Sequence, residues 1–289
     1  MPQYSDNKII SLNSQDGTLK NGTMLSNIVF NTGCILEEDS SIVDTHISVV
    51  NCQLPVSYYT INLSNNTFIA GNYLGSFSLV TIAVGNYNQY TLQDALTYAL
   101  GAIGTFTFVF DKNTGKMTWN CVTSFTLDFR AHKASAAVLG FDTLYLMTGT
   151  TLTSAYPLNL LGVKRISIKS YSLGITNFSS VGGDITLTTI PSDQPPFCMI
   201  SYVNQNPDDR QLVNVKTINQ VDILLLDEND NFLDFNNVGW TLTLMLIITR
   251  FKADPTSTFK EIVSMETPNE GKNEGSFKDI EDELSFLTK

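Results

Sequence analysis

The segment Ile218–Arg250, INQVDILLLDENDNFLDFNNVGWTLTLMLIITR, constrains the fold more than any other part of the chain. Val221, Ile223 and Leu225 alternate with Asp222, Leu224 and Leu226. After an Asp- and Asn-rich interruption, Leu242, Leu244, Leu246 and Ile248 line one face at period two. Alternation of this length specifies strands, and the polar insert specifies a turn. The segment is therefore expected to form a long terminal hairpin, buried on at least one face, that closes a β-sandwich or barrel.

Upstream, residues 1–25 read as an N-terminal arm in which Ile9, Ile10 and Leu12 form at most a short strand. Ser26–Ile35 and Ser41–Leu63 read as strands, the second broken at Pro55, which suits an edge or a bend. Phe77–Val84 is a further strand. Thr91–Leu100 is expected to be a helix with Thr91 at its N-cap and a stop at Gly101. A hairpin follows, Thr105–Phe110 and Lys116–Cys121 around the Asp111–Gly115 turn, then a strand at Phe125–Phe129 and one helical turn at Ser135–Leu139. Short strands recur from Val163 to Val215. Many short strands, frequent turns and little helix describe a sandwich or jelly roll.

Composition narrows function by exclusion. Charged residues make up only 16% of the chain, and its net charge of −11 gives no clustered Lys and Arg to neutralise phosphates, so nucleic-acid binding is not expected. The same balance argues against adhesion to anionic lipid. The N-terminus lacks the basic and apolar regions of a signal peptide, and the longest apolar run, Leu242–Ile248, is far short of a membrane span. Cys34, Cys52, Cys121 and Cys198 show no disulfide or metal spacing, and Cys52 and Cys121 read as buried thiols.

Chemistry-bearing patterns are sparse. His46 reads as a strand residue and His132 as a surface residue, neither with a metal-ligand companion. Asp227–Asn231 begins like a calcium loop, but Phe232 stands where the sharp-turn glycine belongs and Val238 where the bidentate glutamate belongs, so it reads as a solvated turn. Of the two tryptophans, Trp240 reads as core, whereas Trp119 is the candidate exposed ring for stacking on a sugar. No cofactor, metal or catalytic residue is expected, and the chain does not read as an enzyme.

Beyond Phe251 the pattern changes. Residues 252–289 carry nine acidic and five basic residues with Pro255, Pro268, Gly271 and Gly275, and read as a flexible acidic tail. Its end, SFKDIEDELSFLTK, places Phe277, Ile280, Leu284 and Leu287 on one helical face. These four are the candidate partner-docking residues, presented to another subunit by a terminal amphipathic helix.

Four passages carry a resemblance: ISLNSQDG with SNIVFN; SIVDTHISVVNCQLPVSYYTIN; GNYNQYTLQDALTYAL with FTFVFDKNTGKMTW and AVLGF; and QVDILLLDENDNFLDFNNVGWTLTLMLI. In them the chain resembles the single jelly-roll penton, or minor capsid, proteins of the virophage, polinton-like and giant-virus lineage. The resemblance implies an all-β, antiparallel jelly-roll β-sandwich with a short helix-hairpin insertion, spanning 26–251 between the arm and the tail. It implies a structural protein of the virion, assembled in the host cytoplasm. That protein would form homopentamers at icosahedral five-fold vertices beside trimers of a double jelly-roll major capsid protein. A minor capsid or cement subunit, or a jelly-roll carbohydrate-binding attachment protein, are the alternatives.

Overall fold

A computed structural model describes residues 3–20, 24–175, 177–179, 182–206 and 208–251. The first strands are β1 (Gln3–Asn13), β2 (Thr18–Leu19), β3 (Asn27–Leu36) and β4 (Ile42–Pro55). An insertion follows with β5 (Thr67–Gly71), β6 (Phe77–Thr81), α1 (Gln89–Ala99), β7 (Phe106–Phe110), β8 (Met117–Asp128), α2 (Lys133–Leu139) and β9 (Met147–Thr153). The chain then resumes through β10 (Arg165–Lys169), β11 (Asn177–Ser179), β12 (Gly182–Asp184) and β13 (Thr186–Pro191). It ends with β14 (Met199–Val203), β15 (Gln211–Leu212), β16 (Ile218–Leu226) and β17 (Thr241–Phe251).

Eight of these strands pair in nested order. β1 pairs with β17, β3 with β16, β4 with β14 and β10 with β13, all antiparallel. The outermost strands in sequence partner each other, and so on inward to a hairpin, as though one long hairpin had been rolled up. Two further pairings, β4 with β17 and β10 with β16, join these couples into two sheets, β1-β17-β4-β14 and β13-β10-β16-β3. This is an antiparallel jelly-roll sandwich. The alternation in β17 holds: Leu242, Leu244, Leu246 and Ile248 are all buried between the sheets. Burial of each contributes about 1.5–3 kcal/mol.

The expected terminal hairpin does not form. β16 and β17 lie in different sheets, and residues 227–240 arch across the sandwich end between them. The arch carries its own apolar ballast, with Leu233 and Phe235 buried, and is too long for a tight turn. Gln3–Asn13 is likewise more than an arm, because it pairs with β17 along its whole length. Ile10 and Leu12, the buried residues of this strand, fill the sandwich core.

The insertion is also larger than a helix-hairpin. Residues between Tyr59 and Gly162 build a second lobe, a sheet of β5 to β9 backed by α1 and α2 around a separate core. Helix α1 starts one turn earlier than its pattern suggested. Asn88 is the cap, its side chain accepting the amides of Tyr90 and Thr91, while Thr91 returns a bond to the Asn88 amide. Helix α2 ends at Gly140, whose φ of 76° and whose contact with the Tyr156 carbonyl leave no room for a side chain.

Candidate functional site

A dense set of polar contacts lies at the sandwich end closed by the 227–240 arch. Asp227 shapes its start: Oδ1 accepts the amides of Asn229 and Asn231 (2.8 Å each), and Oδ2 accepts the Asn231 side-chain amide (3.0 Å). Its oxygens thus serve the loop itself, as in a turn. Asp230, Asn236 and Asn237 take positive φ, which Asp and Asn tolerate better than most side chains. The arch is tied to the segment after β4: Ser57 Oγ donates to the Phe235 carbonyl (2.6 Å), and Tyr58 meets the Phe235 ring edge-on.

Lys169 lies between Asp184 (3.1 Å) and Asp230 (2.9 Å). Burial works to lower the Lys169 pKa, but hydrogen bonds to the two carboxylates outweigh it and hold the ammonium above its ordinary value. Burial likewise works to raise Asp184, and its bonds from Thr186 and Lys169 bring it below the ordinary carboxylate value. The triad joins β10, β12 and the arch, an electrostatic clasp built from opposite charges.

One carboxylate is fully buried where the strand alternation marked only a polar position. Asp222 on β16 accepts from Ser170 Oγ (2.9 Å) and the Ser172 amide (2.8 Å), while its own amide donates to Ser172 Oγ (3.0 Å). Lys20 approaches Oδ2 at 3.7 Å. The sequence signal was an Asp standing inside the otherwise apolar run Val221–Leu226. Its role is to staple the loop after β10 onto the outer face of the sheet.

The histidines are not brought together. His46 sits on β4 with Nδ1 3.5 Å from Asp44, in the sandwich, whereas His132 sits in the inserted lobe with Nδ1 3.3 Å from Thr67 Oγ1. Trp119 is fully buried rather than exposed, edge-on to Phe68, Phe108 and Phe141 in the lobe core. Trp240 is buried in the sandwich, its Nε1 donating to the Leu25 carbonyl. Cys52 and Cys121 are buried, one in each core, and Cys34 and Cys198 are exposed. Burial pushes the Cys52 thiol up to about 12.

Two open grooves, of about 660 and 690 Å3, share Lys8, Cys34 and Ile35; the first runs between β1 and β3, the second past residues 36–40 to Ile248 and Arg250 of β17. Among the described residues no group of three or more His, Cys, Asp or Glu side chains is arranged to hold a metal ion. No helix among them is long and apolar enough to cross a membrane. Phe277, Ile280, Leu284 and Leu287 lie outside the described residues.

No family model and no curated protein matches the chain. Among solved structures, that of the selenomethionine-labelled mavirus penton protein aligns with 86% of this chain and 100% of its own, at 12% identity and a TM-score of 0.46.

Proposed function

We propose that the chain is a structural protein of a viral capsid, a penton-like subunit forming homopentamers at icosahedral five-fold vertices. The observation that carries this reading is the nested pairing of eight strands into a complete jelly roll with a large lobe inserted between β4 and β10. A sandwich of this kind is a rigid wall whose loops gather at its ends, so one end can project a lobe while the sides pack against neighbours. The resemblance across residues 9–250 to single jelly-roll pentons and minor capsid proteins points the same way.

In this role the subunit neighbours trimers of a double jelly-roll major capsid protein in the virion, having assembled in the host cytoplasm. The acidic tail docks another capsid or core protein through Phe277, Ile280, Leu284 and Leu287. The carbohydrate-binding alternative called for an exposed Tyr or Trp on a sheet face, and burial of Trp119 removes its tryptophan candidate. Native mass measurement and negative-stain imaging of the full chain across a concentration series test the proposal. Closed rings of five support it; a stable trimer, or a monomer that fails to join rings even with major capsid protein present, overturns it.

A further inference from the structure

The sheet of the inserted lobe runs β6-β5-β8-β9 over one half, so β6 and β9 are outer strands on opposite sides. No Asp, Glu, Lys or Arg occurs between Asp44 and Asp94, and none between Asp142 and Lys164. Both outer strands and their flanking turns are therefore uncharged, in a chain of net charge −11. Sheet edges are commonly guarded by charge or proline. The jelly roll follows that rule at β1, which carries Asp6 and Lys8, and at β13, which ends in Pro191.

Strand β6 instead exposes Phe77 (53%) and Leu79 (62%), and Tyr73 and Leu74 are exposed at the adjoining hairpin tip. The Phe77 ring lies over Gly71, where an added Cβ would meet it at 2.9 Å, so the glycine seats the ring on the outer face of the sheet. Strand β9 is preceded by three consecutive exposed apolar residues, Leu144, Tyr145 and Leu146.

The hydrogen-bond parity of β6 is set by its ends. The Ile82 amide donates to the Asn66 carbonyl and the Asn72 amide to the Ser76 carbonyl. Alternation from these pairs turns the backbone groups of Val80 and Ser78 toward β5 and those of Phe77, Leu79 and Thr81 outward. Each successive strand in the β6-β5-β8-β9 path is antiparallel to the last, so β9 runs opposite to β6. Copies rotated about an axis along the strands thus present β9 antiparallel to the next copy's β6.

We infer that β6 of one copy pairs antiparallel with β9 of the next, head to tail, and that this sheet extension is a subunit interface. The inference rests on the ring reading above and names the surface that closes the ring. A second copy is the occupant these observations favour. Two free edges of opposite direction belong to one sheet, a heterologous arrangement that closes when its rotation closes. Copies with the same negative charge also meet at least cost where neither presents a charge.

The test compares wild type, Leu79→Lys, Thr150→Glu, the double variant and Val203→Lys on the exposed face of β14, all as full chains, by native mass and sedimentation. Melting is followed alongside; Thr81→Lys repeats the test if Leu79→Lys proves unstable. The inference expects Leu79→Lys to weaken association by about tenfold or more while the fold is retained. It expects the double variant to restore rings, because each contact then joins opposite charges, and Val203→Lys to leave them unchanged. Rings that survive Leu79→Lys, or that are lost through Val203→Lys, overturn the inference and leave the ring reading standing. Loss without rescue by the double variant, with wild type as a dimer, indicates β6–β6 pairing and overturns the head-to-tail form. A wild type that stays monomeric even with major capsid protein present overturns both.

Discussion

The sandwich and the inserted lobe solve the same packing problem with different side chains. The sandwich core is mainly aliphatic, with Leu242, Leu244, Leu246 and Ile248 of β17 facing residues such as Ile166, Ile168 and Ile223 of the other sheet. Two facing sheets of regular alternation are filled well by such side chains. The lobe has one sheet against two short helices, an irregular space, and fills it with rings. Phe68, Trp119, Phe129 and Phe141 form a continuous series of stacked and edge-on contacts, with centroids 5.2–5.9 Å apart. The contrast extends to the surface, where charge marks the sandwich edge at β1 and proline that at β13, β14 carries neither, and neither marks β6 or β9. The lesson is that one chain can carry a scaffold guarded at β1 and β13 and a projection unguarded at β6 and β9.

The largest way to break this comparison is to hollow each core in turn. Trp119→Ala is expected to cost the lobe about 3–5 kcal/mol, and Leu244→Ala to cost the sandwich about 2–5 kcal/mol. If the cores are separate, Trp119→Ala yields an early melting transition that leaves the sandwich signal intact; a single shared transition would make them one cooperative unit. Asp222→Ala comes next. It strands the Ser172 amide and Ser170 hydroxyl, and should lower sandwich stability by about 1–3 kcal/mol in denaturant titration with no effect on the lobe.

A smaller effect concerns pH. The lowered Asp184 pKa contributes stability that is present above the unfolded carboxylate value and lost as pH falls through its depressed folded value. The raised Lys169 pKa contributes stability fully present below the ordinary lysine value and lost as pH rises through its elevated folded value. Lys169→Met should therefore flatten both the acid and the alkaline limbs of the melting profile, at a cost near neutrality of about 1 kcal/mol. The mildest probe is thiol labelling of the native protein. Cys34 and Cys198 should react quickly, Cys52 and Cys121 only after opening, and the order in which the last two appear in mild denaturant reports which core opens first.

Much of the fold was legible where periodicity alone decides. The buried face of β17, the β7–β8 hairpin and the Gly140 stop follow from alternation and turn chemistry. Pairing was not legible, because period two says which side chains share a face but not which strand lies alongside. Hence β16 and β17 looked like a hairpin although they occupy different sheets. Trp119 follows a turn, which suggests exposure; its parity with Met117 and Cys121, both buried, is the signal that places it in the core. The Asn88 cap was hidden behind Thr91, since either residue can open a helix, and only the reciprocal bonds separate them. The uncharged stretches were visible in the sequence from the outset, but their meaning required knowing that they form outer strands on opposite sides of one sheet.

Hydrogen exchange of the full chain, assembled and diluted, tests the central claim most directly. Assembly should slow the outward-facing amides of Phe77, Leu79 and Thr81 and those of β9, while leaving the outer edge of β1 unchanged. Protection that appears on β1 or β14 instead, with β6 and β9 exchanging alike in both states, would contradict it.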